Sequence, residues 1–60
     1  MNPVVKILME RDGMTEQEAT DLVRKTKEEL LRNSGCYVDE IILENLVLEP
    51  DYIMDILEID

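Results

Sequence analysis

The segment Cys36–Leu48, CYVDEIILENLVL, decides the fold. Its Val and Ile content favours a strand by propensity. Its spacing favours a helix: Tyr37, Val38, Ile41, Ile42 and Leu46 fall on one half of a helical wheel, and Asp39, Glu40 and Glu44 on the other. A lone strand would also have nothing to pair with, because no other stretch of the chain alternates apolar and polar residues. The reading is a helix over about 37–47, broad on its apolar side and central to the core.

Downstream, Glu49-Pro50 breaks the chain, since the residue before a proline avoids helical geometry. Pro50 then suits the first position of a further helix over about 50–58, with Leu48 packing on Ile53 as a hydrophobic staple. Ile53, Ile56 and Leu57 point inward, and Asp51, Asp55 and Glu58 form a stripe on the reverse face. Asp51 meets the positive end of the helix dipole, whereas Glu58 and Asp60 sit at the negative end. That end is expected to fray unless a cation meets it.

Upstream, Thr15-Glu16-Gln17-Glu18 has the form of a capping box. Ala19, Leu22, Val23, Thr26 and Leu30 then recur at helical spacing, which predicts a helix over about 16–32 ended by Asn33-Ser34-Gly35. Its other face offers Asp21–Lys25, Arg24–Glu28, Lys25–Glu29 and Glu28–Arg32 as i,i+4 ion pairs, as a solvated face does. Asn2 as cap and Pro3 as first helical residue open a short helix over about 3–11 with Val4, Val5 and Leu8 on one side, and Gly13 stops it. The expected fold is all-α: a small bundle of four short helices in one domain over residues 1–60, the last three giving most of the core.

With 60 residues, no Trp and no Phe, the chain is poor in bulk even at 45% hydrophobic content. Small scaffolds of this kind add disulfides, a metal or a second copy of themselves. A single Cys and the lack of His leave self-association, so a homodimer is expected as the remaining route. The lone Cys36 suits a reducing compartment. The opening MNPVVKILMERDG (1–13) is too soon interrupted by charge for a signal peptide, and no apolar run approaches the ~20 residues of a membrane span. A cytoplasmic protein with no membrane partner is expected.

Charge is the strongest functional clue. All six basic residues lie at or before Arg32, while residues 33–60 hold eight of the fifteen carboxylates and no cation. The net charge of −9 repels nucleic-acid phosphate, and the bases of the second helix are interleaved with acids, so no recognition helix can be drawn and direct nucleic-acid binding is not expected. Catalysis is not expected either: the chain has no His, no nucleophile motif and no Gly-rich phosphate loop. No loop has calcium-binding spacing, and no metal or other cofactor is expected. Cys36 reads as a small apolar residue rather than a reactive thiol, Tyr37 and Tyr52 as core-edge residues, and the four methionines form no concerted pattern.

Two segments carry a resemblance. Arg11-Asp12-Gly13-Met14-Thr15-Glu16-Gln17-Glu18-Ala19 resembles the "RDG(L/M)(T/S)xEEA" opening of small phage and prophage proteins, and Leu46-Val47-Leu48-Glu49-Pro50-Asp51-Tyr52-Ile53-Met54-Asp55-Ile56-Leu57 resembles their "LGLEPDYxxDLL" ending. The resemblance implies a small helical fold from a mobile element and no known activity. That family usually has Gly where this chain has Val47, which removes an easy left-handed helix stop and predicts a differently built turn before Pro50.

These observations favour a non-enzymatic interaction module. Asp39, Glu40, Glu44, Asp51, Asp55 and Glu58 would supply the field for a basic surface on a partner protein, and Tyr52 and Met54 the apolar contact. The alternatives are an acidic mimic of nucleic acid that blocks a DNA- or RNA-binding protein, and a purely structural dimerisation element in which the acids only keep the chain soluble.

Overall fold

A computed structural model of the chain describes residues 2–33 and 37–59; residue 1, residues 34–36 and residue 60 lie outside the description, and with them the readings made for Cys36, Ser34-Gly35, Met1 and Asp60. The chain is all-α, with helices α1 (Pro3–Asp12), α2 (Glu16–Arg32), α3 (Val38–Leu46) and α4 (Ile53–Leu57), the last entered through a 3₁₀ turn, Pro50–Tyr52. The segment expected to be decisive is thus helical over Val38–Leu46, and it buries Ile42 and Leu46 as its periodicity requires.

Local chemistry sets the helix ends. Asn2 accepts at Oδ1 from the N–H groups of Val4 (2.8 Å) and Val5 (3.4 Å), satisfying two of the donors that a helix start leaves without an intrahelical partner. Gly13 closes α1 at φ 69°, the left-handed conformation glycine adopts without a Cβ penalty. The capping box of α2 is complete: the Glu18 N–H donates to Thr15 Oγ1 at 3.1 Å, and the Thr15 N–H donates to Glu18 Oε1 at 3.0 Å. Leu48 and Ile53, the expected staple, are both half-buried against the core.

The core gathers Val4, Val5 and Leu8 from α1, Ala19, Val23 and Leu30 from α2, Ile42 and Leu46 from α3, and Ile56 and Ile59 from the end of the chain. The hub is α2, and this corrects the expectation that the third helix is central. The helix α2 packs on α1, α3 and α4, whereas α3 packs on α2 and on the turn Pro50–Tyr52. Length is the reason: α2 spans 17 residues and the other helices 10, 9 and 5. A single polar residue, Thr26, is fully buried in α2; its hydroxyl donates to the Leu22 carbonyl at 2.9 Å and lies 3.5 Å from the Asn45 side-chain amide across the α2–α3 contact. That pairing satisfies the one polar side chain that α3 turns toward α2.

The third helix matches the expected span of about 37–47 to within one residue at each end, where Tyr37 (φ 59°) and Val47 (φ 54°) are both left-handed. Two further expectations are corrected. Tyr37 is 70% exposed and so is not a core-edge residue. On α2 an ion pair forms at Asp21–Arg24, i,i+3 at 3.6 Å, and among the described residues the expected pairs Asp21–Lys25, Lys25–Glu29 and Glu28–Arg32 are not closed.

At the end of α3, Val47 itself takes the left-handed conformation that glycine adopts most easily (φ 54°). A β-branched side chain in this region crowds the following carbonyl, at a cost of roughly 1–2 kcal/mol. Val47 is 65% exposed, so burial returns little of it. Val47→Gly is therefore expected to stabilise the fold by about 1 kcal/mol, after allowing for the greater freedom glycine gives the unfolded chain, and a higher midpoint in urea or thermal denaturation checks this.

Candidate interaction surface

The second half of the chain is tied to the first by bases that reach backbone rather than carboxylates. The α3 segment carries its own acids, Asp39 and Glu40, in its first turn, where they suit the positive end of the dipole, and has no base in its last turn. Arg11 supplies the missing cation from α1. Its Nη2 donates to the Leu46 carbonyl at 2.6 Å and its Nη1 to the Val47 carbonyl at 3.0 Å, two acceptors that the helix end leaves open. Asp12 holds the same guanidinium through Nε (3.0 Å) and Nη2 (2.8 Å). Hydrogen bonding from Arg11 keeps the Asp12 carboxyl below the usual carboxylate range, and the reciprocal bond raises Arg11. A lowered folded value means that the contribution is present above the ordinary carboxylate range and is lost as pH falls through the lowered value.

Lys27 does the same at the chain end, its Nζ donating to the Ile59 carbonyl at 2.7 Å. The end that was expected to fray without a cation has therefore found one, and Ile59 is buried there. Asn2, besides capping α1, donates through Nδ2 to the Asp55 carbonyl at 2.7 Å and so holds α4 against the start of α1.

The described carboxylates of the second half are left over from this arrangement. Among the described residues the ion pairs are Lys6–Glu10, Arg11–Asp12 and Asp21–Arg24, and none includes an acid beyond Asp21. Of the residues expected to form the surface, Asp39, Glu40 and Glu44 are exposed on α3, and Asp51, Met54 and Glu58 are exposed along the turn and α4. The turn packs on α3, so the two acidic groups lie on adjacent elements. Two of the expected residues differ: Tyr52 is half-buried against the core, which removes part of it from any contact, and Asp55 is half-buried rather than fully outward.

Exposed apolar residues not included in the expected surface lie on α3 and just past its end. Leu43 is 57% exposed on the side of α3 that carries the acids, and Val47, 65% exposed, follows the helix end. The signal for Leu43 was present in the sequence, since it falls among Asp39, Glu40 and Glu44 on a helical wheel and outside the apolar half. Among the described residues no helix is long and apolar enough to cross a membrane, and no three His, Cys, Asp or Glu side chains group as metal ligands do. Comparison with protein-family models, curated proteins and solved structures finds no match.

Proposed function

We propose that this chain is a non-enzymatic protein-interaction module whose acidic second half binds a basic surface of a partner protein. The observation that carries this reading is the division of labour among its charges. Arg11 and Lys27 engage backbone carbonyls of the second half, so Asp39, Glu40, Glu44, Asp51 and Glu58 stand exposed without a cation among the described residues. Such a one-signed field attracts a complementary surface and speeds encounter with it, and it weakens as salt screens it over about 8 Å at physiological ionic strength. The resemblance to small phage and prophage proteins supports an accessory role in a mobile element.

The test is affinity capture by the full chain from a lysate of its natural host, comparing wild type with the triple variant Asp51→Asn, Asp55→Asn, Glu58→Gln and the triple variant Asp39→Asn, Glu40→Gln, Glu44→Gln. Wild type is expected to capture basic proteins in low salt and to release them at about 0.5 M, with at least one triple variant losing them. Capture that is identical for all three proteins removes the acidic half from the interaction.

A further inference from the structure

We infer that Asp12–Gly13 is a site of spontaneous isoaspartate formation held in check by Arg11, and that its conversion releases the tie between α1 and the end of α3. The inference is independent of the reading of the acidic half. Asp12 is the one described aspartate followed by glycine; Asp21, Asp39, Asp51 and Asp55 each precede a residue whose side chain crowds its own amide nitrogen. Asp12 and Gly13 are both exposed, and a Cβ at Gly13 would meet nothing within 4 Å, so the joint has room and water to react. The N–H groups that follow α2 and α3 donate back to the Glu29 and Leu43 carbonyls, whereas among the described residues the Gly13 N–H makes no such bond.

The reaction balances without a partner. The Gly13 nitrogen attacks Asp12 Cγ, an N–Cγ bond forms, and the carboxyl hydroxyl leaves with the amide proton as water, giving a five-membered cyclic imide. Water then adds to the main-chain carbonyl carbon of the imide. Its hydroxyl stays on that carbon, its proton goes to the nitrogen, and the chain runs on through Cβ and Cγ. Addition at Cγ instead restores aspartate.

Arg11 opposes the first step twice. Ring closure needs a neutral carboxyl, and hydrogen bonds to the guanidinium favour the charged form. That effect offsets the negative end of the α1 dipole, which disfavours a carboxylate there. Both carboxylate oxygens are also held, Oδ1 by Nε and Oδ2 by Nη2, so Cγ reaches the Gly13 nitrogen only by giving up both bonds and opening the last turn of α1. Isoaspartate lengthens the main chain by one methylene and moves the carboxylate off this fork. The guanidinium that donates to the Leu46 and Val47 carbonyls then loses its anchor.

The experiment incubates the full chain at neutral pH and physiological temperature in heavy-oxygen water. Each ring opening leaves one heavy oxygen on the residue, which peptide mapping by mass spectrometry locates, and an endoprotease that cuts before aspartate tells aspartate from isoaspartate. Wild type is expected to take up label at Asp12 and not at Asp21, Asp39, Asp51 or Asp55, and Arg11→Gln to do so several-fold faster. Asn2→Ala loosens the fold without touching Arg11 and is expected to stay near the wild-type rate. The isoaspartyl form, separated by chromatography, is expected to melt below its parent.

No label at Asp12 in wild type, while the chain unfolded in urea acquires it, overturns the site. Arg11→Gln at the wild-type rate overturns the check by Arg11. Asn2→Ala accelerating as much as Arg11→Gln overturns local opening in favour of global unfolding. An isoaspartyl form that melts with its parent overturns the release of α3.

Discussion

Ile42→Ala is expected to unfold a large part of the population at 37 °C. Ile42 is fully buried in the middle of α3 and belongs to the shared core. Truncating such a residue removes its transfer free energy and leaves a cavity, which together cost about 2–5 kcal/mol. The whole stability of a domain of this length is only roughly 3–9 kcal/mol. A loss of about 3 kcal/mol would lower the melting temperature by more than about 10 °C. The matched control is the next residue: Leu43→Ala, on the exposed face, is expected to change stability by no more than about 0.5 kcal/mol. Circular dichroism in urea and on heating measures both. Equal effects of the two substitutions would mean that α3 does not present the side described here to the core.

Asn2→Ala is expected to have the next largest effect, about 2 kcal/mol, which is large for an exchange at the second residue of a chain. Loss of the cap leaves the N–H groups of Val4 and Val5 without their side-chain partner, typically worth about 1 kcal/mol. Loss of the bond to the Asp55 carbonyl adds roughly another 1 kcal/mol. Asn2→Asp separates the two contributions. A carboxylate caps α1 as well as an amide does but offers the Asp55 carbonyl no donor, so this variant is expected to fall midway between wild type and Asn2→Ala. Asn2→Asp at wild-type stability would show that the tie between the chain ends contributes nothing. Hydrogen exchange at the N–H groups of α4 gives the same test locally, since release of Asp55 is expected to speed exchange there.

Both predictions depend on signals of different range. The helical periods, the Asn2 cap, the stop at Gly13 and the Thr15–Glu18 box could all be read directly, because each acts within one turn of helix, over three or four residues. The strand propensity of residues 36–48 lost to their period for the same reason: burying Ile42 and Leu46 on one side outweighs an intrinsic preference worth a fraction of a kcal/mol per residue. The exposed acids of α3, the turn and α4 were legible too, since carboxylates without partners stay in water. Leu43 had a legible position on the wheel, but composition alone marks a leucine as core.

What the sequence by itself determined is therefore the helices, their inner faces and an anionic exterior over the second half. The tertiary structure alone decided that Arg11 closes α3, that Lys27 closes the chain end, that Asn2 holds Asp55 and that α2 is the hub. Those hydrogen bonds join residues 32 to 53 positions apart. A backbone carbonyl carries no residue identity, so its partner is set by where packing brings a long flexible side chain, not by any pattern along the chain.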